Sequence, residues 1–280
     1  MLVVKLGGSN GLDFAAPCRD IAALVREGKE VVVVHGGSRE VDRISAALGR
    51  PPRYVTTPSG FRSRYTDRET LEIFAMVVAG RINKLLVEHL QALGVNALGL
   101  SGLDGRLLVG KCKGVIIALE NGRKRVLRGD YGGTVEGVNA SLLRWLLEGG
   151  YTPVIAPVAM STAGEALNVD GDRAAAAVAA ALGAEALVLL TDVPGLLRDP
   201  ADPSTLIPRI PAAEARGCLE RYAKGRMKKK LHAAISALEG GVARVIIADG
   251  RVEAPVSRAL EGRGTVIGGR ARELPGKGEG

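Results

Sequence analysis

The sequence predicts an α/β protein with a mostly parallel central sheet. Hydrophobic residues make up 46% of the 280 positions but aromatic residues only 3%, so Val, Leu, Ile and Ala must form the core. Such a core suits buried parallel strands covered by alanine-rich helices. Strand and helix patterns also alternate along the chain, as crossover connections between parallel strands require. The length allows one large domain or two lobes.

In the first half of the chain, apolar residues at helical spacing predict four helices, the third of them unusually long. These helices cover residues 13–27, 39–48, 67–93 and 139–148. Short apolar runs predict strands at residues 3–6, 31–34, 96–100 and 152–156. A hairpin is predicted over 107–127, because Glu120-Asn121-Gly122-Arg123 is a good turn sequence.

In the second half, a helix containing the alanine run Ala174–Ala181 precedes a strand at Ala186–Thr191. Four prolines predict a loop or arm over 198–212. A helix at 226–239 and a strand at 243–248 are expected to complete the sheet. We place a lobe boundary near 160–165, and the glycine-rich, charged residues 268–280 are expected to form a disordered tail.

Bulk properties exclude several classes of protein. No apolar run reaches 18 residues and Met1 leads directly into a strand, so we expect a cytoplasmic protein without a membrane span or signal peptide. Cys18, Cys112 and Cys218 are too dispersed for a structural zinc site. The net charge of +8 indicates an acidic partner, which could be a nucleotide, a nucleic acid or an acidic protein. Only nine dispersed aromatic residues are available for base stacking, which disfavours RNA binding.

Two strands end in a glycine pair followed by serine, at Lys5-Leu6-Gly7-Gly8-Ser9 and at His35-Gly36-Gly37-Ser38. Glycine lets a ligand approach the backbone closely, and a following helix N-terminus favours negative charge. These turns, with Lys5 beside the first, indicate an enzyme that handles phosphoryl groups. The alternative for Lys5 is an ordinary lysine at a strand end, since the usual G-x-x-x-x-G-K-[ST] phosphate motif is absent.

Two later segments carry further candidate residues. In Asn168-Val169-Asp170-Gly171-Asp172, helix capping explains Asp170, whereas Asp172 could align nearby ammonium groups. In Gly225-Arg226-Met227-Lys228-Lys229-Lys230, a solvated face explains Lys228 and Lys229. Lys230 differs because it shares a helical face with apolar neighbours and could point inward.

The order of these motifs resembles the amino acid kinase family, in its acetylglutamate kinase branch, over residues 2 to about 267. Within that branch the chain is most similar to the carrier-protein-dependent kinases of lysine and arginine biosynthesis. The segments that carry this likeness are 63–72, 99–106, 128–135 and 225–228. Ser63-Arg64-Tyr65-Thr66-Asp67 and Gly36-Gly37-Ser38 depart from the usual acetylglutamate kinase patterns, which favours the carrier-dependent group.

The resemblance implies a three-layer α/β/α sandwich with two lobes. Residues 1–163 would bind the acceptor and dimerise, and residues 164–267 would bind ATP. The reaction it implies is phosphorylation of the side-chain carboxylate of 2-aminoadipate or glutamate, attached to an acidic carrier protein. ATP would be the donor, with Mg²⁺ held mainly by its phosphates.

The resemblance also implies roles for individual residues. Lys5 and Lys230 would neutralise the transferring phosphoryl group, and Asp172 would hold both lysines. Gly8 and Gly37 would donate backbone N–H groups, with Gly36 beside them in the acceptor site. Arg64 and Asn168 would bind the acceptor. ATP would lie near Thr191, Asp192 and Gly195, and would also contact Lys5 and Lys230.

The positive charge is expected to guide the carrier to the acceptor site. The residues that could rim that site are Arg62, Arg64, Arg68, Lys111, Lys113, Arg123, Lys124, Arg125 and Arg128; a generic basic surface is the alternative. We expect a homodimer that binds neither nucleic acid nor membrane, and a structural role for His35. Other hypotheses are an acetylglutamate kinase acting on the free acid, a nucleoside monophosphate kinase and a non-catalytic nucleotide sensor.

Overall fold

The computed structural model describes residues 1–7, 14–58, 60, 62–120 and 123–269. The strands within these residues are β1 Leu2–Leu6, β2 Val31–His35, β3 Tyr54–Thr56, β4 Arg62–Arg64, β5 Ala97–Ser101, β6 Leu108–Glu120, β7 Arg123–Val138, β8 Thr152–Ala156, β9 Val158–Ser161, β10 Ala166–Val169, β11 Ala186–Thr191, β12 Arg209–Ile210, β13 Arg244–Asp249 and β14 Thr265–Gly268. The helices are α1 Ala15–Arg26, α2 Ser38–Ala47, α3 Arg68–Ala75, α4 Asn83–Ala92, α5 Ala140–Glu148, α6 Gly171–Leu182, α7 Ala215–Tyr222, α8 Gly225–Glu239 and α9 Pro255–Leu260. A π-helical segment, Met76–Ile82, joins α3 to α4. In this part of the chain no helix has the length and apolarity that a membrane crossing needs.

Eight strands form the main sheet, in the order β12-β14-β13-β11-β1-β2-β8-β5. The neighbours from β13 to β5 run parallel, and β14 runs antiparallel to β13. The strand order reverses at β1: the strands that follow it first, β2, β5 and β8, lie on one side of it, and the later strand β11 pairs with its other edge. Such a reversal point opens a crevice at the carboxyl ends of the strands, where α/β proteins bind ligands.

Alternating residues of each strand enter two hydrophobic cores, one on each face of the sheet. Val3 and Leu187 pack with α5, α6 and α8 on one face. Leu2 and Val188 pack with α1, α4 and α9 on the other. Helices on both faces confirm the predicted three-layer α/β/α sandwich with a mostly parallel sheet. Because Lys5 shares the side of Val3, its side chain points toward α6 and α8.

A second, smaller sheet stands at the carboxyl edge of the first. Strands β10, β7, β6 and β9 close into a barrel, and the β3–β4 hairpin packs beside β6. The predicted hairpin is confirmed but its second arm continues to Val138, well beyond residue 127. Two residues of its predicted turn, Asn121 and Gly122, lie outside the described residues.

The predicted helices and central strands are confirmed to within a few residues. The expectation that 243–248 completes the sheet is wrong, because β14 adds an antiparallel strand beside β13 and β12 adds a short one within the predicted loop at 198–212. Gly268 ends β14, so the predicted tail starts too early; residues 270–280 lie outside the described part. The lobe boundary near 160–165 falls in the turn between β9 and β10 and stays a prediction.

Candidate active site

Three buried charged side chains meet at the carboxyl end of β1. Lys5 Nζ lies 2.8 Å from Asp172 Oδ1, and Lys230 Nζ lies 3.1 Å from Asp172 Oδ2. Each of the three residues is only 7% exposed. They come from β1, from the first turn of α6 and from α8. Asp170 caps α6 by accepting from the backbone N–H groups of Asp172 and Arg173, as expected, and so fixes the turn that carries Asp172.

The charges of this cluster do not cancel. Burial raises the pKa of Asp172, but Lys230 and Lys5 outweigh it and hold that pKa well below its ordinary value. Burial and the neighbouring Lys5 lower the pKa of Lys230, and Asp172 opposes them. Two ammonium groups therefore share one carboxylate, and the excess positive charge favours an anion at this point.

The glycine turns pack tightly around Lys5. The Gly7 N–H donates to the Leu190 carbonyl and the Gly36 N–H donates to the Leu6 carbonyl, which continues the sheet pairing into both turns. A Cβ atom on Gly7 would lie 2.5 Å from Lys5 Nζ and 2.7 Å from the Leu190 oxygen. Glycine at position 7 is thus required by the Leu190 carbonyl oxygen, because backbone cannot move aside as the flexible end of Lys5 can. Gly8, expected to donate to the phosphoryl group, lies outside the described residues.

A pocket of about 330 Å³ opens beside this cluster. It brings together all four residues expected to bind the acceptor, namely Gly36, Gly37, Arg64 and Asn168. Other charged residues in its lining are Arg62, Lys113, Asp130, Asp170, Arg173 and Lys229. Among the described residues, five cationic side chains therefore face two carboxylates, a balance that favours an anionic ligand.

Arg64 lies in the wall of this pocket with its side chain only 6% exposed. Its Nη1 is 2.6 Å from Asp42 Oδ1, and its Nη2 donates to the Tyr54 hydroxyl at 3.1 Å and to the Ser38 carbonyl at 3.2 Å. Nη1 is buried and makes this ion pair without hydrogen-bond geometry. Asp42 and Tyr54, which sequence reasoning missed, therefore set the position of Arg64.

Asn168 is oriented by a chain of hydrogen bonds. Its Nδ2 donates to Thr66 Oγ1 at 3.0 Å, and the Thr66 N–H donates to Asp130 Oδ1 at 2.9 Å. Burial raises the pKa of Asp130, opposed by this bond and by one from the Gly132 backbone. Thr66 and Asp130 were not singled out from the sequence as site residues, although both lie in segments that carry the family resemblance.

His35 stabilises the second glycine turn with its buried ring. Its Nδ1 lies 2.9 Å from the Gly36 carbonyl, and its Nε2 lies 3.2 Å from Asn83 Nδ2, which also donates to the Val154 carbonyl. Burial lowers the pKa of His35 to about 4. The ring is therefore neutral near pH 7, donating through Nδ1 and accepting at Nε2, which fits the structural role expected for it.

Besides Lys5 and Lys230, the residues expected to contact ATP lie at the last position of β11 and in the turn after it. Thr191 is buried and its hydroxyl donates to Asp192 Oδ1 at 3.2 Å. A Cβ on Gly195 would lie 2.5 Å from Thr265 Oγ1, so packing against β14 explains this glycine. All three stand at the same sheet edge as Lys5.

Within the described residues, no three or more His, Cys, Asp or Glu side chains are grouped so as to hold a metal ion. Asp172 is already engaged by two ammonium groups and is a poor candidate for a metal ligand.

Comparison with known proteins identifies the chain's relatives. The profile of the amino acid kinase family matches residues 1–249. The [LysW]-aminoadipate kinase of Deinococcus radiodurans is 56% identical over 267 residues, covering 95% of this chain and 91% of that protein. The enzyme of the same name from Thermus thermophilus is 52% identical over 270 residues, covering 95% and 100%.

Among solved structures, the fold has similar members. The structure of N-acetylglutamate synthase from Neisseria gonorrhoeae, complexed with coenzyme A and N-acetyl-glutamate, superimposes with a TM-score of 0.78 at 30% identity. That match covers 96% of this chain and 59% of the other. Fold, motifs and relatives agree, and the chain belongs to the amino acid kinase family.

Proposed function

We propose that this protein is an ATP-dependent kinase that phosphorylates the side-chain carboxylate of 2-aminoadipate, glutamate or both, attached to an acidic amino-group carrier protein. The product is an acyl phosphate of lysine or arginine biosynthesis. The observation that carries the proposal is the buried Lys5–Asp172–Lys230 cluster, which lies beside a cationic pocket lined by Arg64 and Asn168. The names of relatives with more than half of their residues identical support the same acceptor.

Phosphoryl transfer to a carboxylate needs little covalent chemistry from the protein. A carboxylate is ionised at pH 7, so no general base is needed, and catalysis reduces to alignment and charge neutralisation. Lys5 and Lys230 neutralise charge on the phosphoryl group as it moves from donor to acceptor. Asp172 keeps both ammonium groups in place, and the backbone N–H of Gly37 contributes a further donor, together with that of Gly8.

Binding of the acceptor uses the pocket wall. Arg64 pairs with the free α-carboxylate, a contact for which a guanidinium is suited. Because Thr66 accepts from the Nδ2 of Asn168, the Oδ1 of Asn168 is the atom that accepts the N–H of the amide linking amino acid to carrier. An acceptor without that amide loses this contact.

The nucleotide lies along the carboxyl edge near Thr191, Asp192 and Gly195, with residues 164–267 as the ATP-binding lobe and 1–163 as the acceptor-binding and dimerisation lobe. Mg²⁺ is carried chiefly by the ATP phosphates and water, an assignment that fits a site whose carboxylate is occupied by lysines. We further propose that the enzyme is a cytoplasmic homodimer.

Acyl-phosphate formation trapped with hydroxylamine tests the proposal on two acceptors. One is free N-acetylglutamate and the other is a carrier protein ending in glutamyl-aminoadipate, with the Asp172→Asn variant as control. We expect turnover on the carrier-bound acceptor only, reduced at least about 100-fold in the variant. Turnover on the free acid alone would identify an acetylglutamate kinase, and product from neither would leave the nucleotide sensor.

A further inference from the structure

The outer face of the β6–β7 hairpin carries a row of exposed apolar side chains. Val115, Ile117 and Leu119 alternate along β6, and Val126 lies on β7 opposite Ile117. They are between 38% and 56% exposed. We call these four residues the apolar stripe; Arg128 stands opposite Val115 and Lys124 opposite Leu119, so a cation marks each end.

The inner face of the same hairpin is already buried. Ile116, Ala118 and Leu127 form a small core with Val55, against which Tyr65 packs. A hairpin with one face buried normally shows polar residues on the other. Here the outer face carries four exposed apolar residues between two cations. Contiguous exposed apolar surface rimmed by charge is typical of protein interaction sites.

The stripe is continuous with the acceptor pocket. Lys113 on β6 and Asp130 on β7 line that pocket. Val115 and Arg128 form the next pair along the hairpin toward Glu120 and Arg123. At about 3.3 Å per residue, the stripe reaches roughly 20 Å from the pocket wall. A molecule whose end occupies the pocket would lie along this face.

Resting on the proposed function, we infer that the apolar stripe and its two flanking cations are the docking surface for the folded body of the acidic carrier protein. Charge selects this occupant. An acidic partner complements Arg128 and Lys124, whereas a second copy of this chain, with net charge +8, would bring like charges together. The carrier thus binds at two places, its modified end in the pocket and its body on the hairpin.

The test compares the full carrier with a short peptide that has only the carrier's last residues and the linked aminoadipate. The variant is I117T/V126T, which keeps β-branched side chains at both positions and so preserves strand propensity. Leu93→Thr is the matched control, since Leu93 is an exposed apolar residue in the turn before β5, at the amino end of the main sheet, whereas the hairpin stands at the carboxyl end. We measure KM and kcat by steady-state kinetics and the carrier dissociation constant by titration calorimetry.

For I117T/V126T we expect KM and Kd for the full carrier to rise at least tenfold, with kcat and all constants for the peptide within twofold of wild type. K124E/R128E should in addition flatten the dependence of carrier KM on salt. Leu93→Thr should change nothing.

Carrier binding within twofold of wild type, or an equal loss on carrier and peptide, would overturn the docking surface. So would a dimer that dissociates in I117T/V126T, because the occupant would then be a second copy. A wild-type enzyme that neither binds nor phosphorylates the carrier would overturn the proposed function as well, so the two failures are distinguishable.

Discussion

At the scale of single residues, the site is governed by two lysines that share one carboxylate. Burial and Lys5 lower the pKa of Lys230, so its proton is lost below the pH at which an exposed lysine would lose it. The role that we propose for Lys230, neutralising the moving phosphoryl group, requires its protonated form. We therefore expect this side chain to set the alkaline limit of activity.

We predict that kcat/KM for ATP, which reports the pKa values of the free enzyme, falls on the alkaline side at a pH below the ordinary lysine pKa of about 10.4. Lys230→Arg should move this alkaline decline to higher pH, since a guanidinium keeps its proton, although the different shape of the side chain lowers the maximal rate. The measurement is a pH profile of kcat/KM for ATP from about pH 7 to about pH 10.5 for both proteins. If the arginine variant shows the same alkaline decline, the decline belongs to another group.

Thr66 connects Asn168 to the buried Asp130, which makes it a positioning residue. Thr66→Val keeps the shape but removes the hydroxyl that accepts from Asn168 Nδ2. Loss of one such bond is worth about 1 kcal/mol, so we predict a rise of about five- to tenfold in acceptor KM with a smaller effect on kcat. Thr66→Ser, which retains the hydroxyl, should restore KM; if it fails to, shape rather than hydrogen bonding is responsible.

At the scale of elements, the close approach of β11 to the end of β1 leaves no space for a side chain at Gly7. A methyl group on Gly7 meets both Lys5 Nζ and a backbone oxygen of the neighbouring strand. We predict that Gly7→Ala lowers kcat at least about 100-fold by displacing the ammonium group. Gly137→Ala is the control, because its Cβ would have its nearest neighbour 3.9 Å away; equal losses in both would mean that Gly7 has no special role.

The sequence predicted strands best where a buried strand appears as an uninterrupted or nearly uninterrupted apolar run. Strands such as 152–156 and 186–191 are continuous apolar runs, and their bounds match the structure. The strand at 265–268 and the 158–169 hairpin were missed, because four-residue strands carry too little periodicity to detect. The long helix was predicted as one unit, whereas its π-helical segment depends on packing that places Val78 and Ile82 against Gly37.

The same contrast applies to the site. Lys5, Asp172 and Lys230 were identified because their types and order form a pattern, and Arg64 and Asn168 followed from the family resemblance. Asp42, Tyr54 and Asp130 act through tertiary contacts with residues up to 64 positions away. No local pattern marks Asp42 or Tyr54, and the segment 128–135 that contains Asp130 does not reveal that its carboxylate binds the Thr66 N–H.

At the scale of the whole molecule, one carboxylate joins the two ends of the fold. Asp20 in α1 accepts from the N–H groups of Val256 and Ser257 at 2.6 and 2.9 Å, 236 and 237 positions away. Its other oxygen accepts from the Ser257 hydroxyl at 2.5 Å. Asp20 is 6% exposed, so its loss leaves these donors buried.

We predict that Asp20→Ala lowers the free energy of unfolding by about 2–4 kcal/mol, measured by urea denaturation. Ser257→Ala, which removes one of the three bonds, should cost about 1 kcal/mol. Neither change should alter KM for ATP or acceptor. An Asp20→Ala protein as stable as wild type would show that α9 is held by its apolar contacts alone.

The central place of β1 also has a consequence for biosynthesis. The first strand made pairs with β2 at once, but its other edge is closed only by β11, some 150 residues later. At translation rates of about 5–20 residues per second, that edge is open on the ribosome for roughly 10–30 s. An unpaired strand edge is a template for aggregation, so we expect nascent chains that stop before residue 186 to be held by chaperones and released from them once β11 is made.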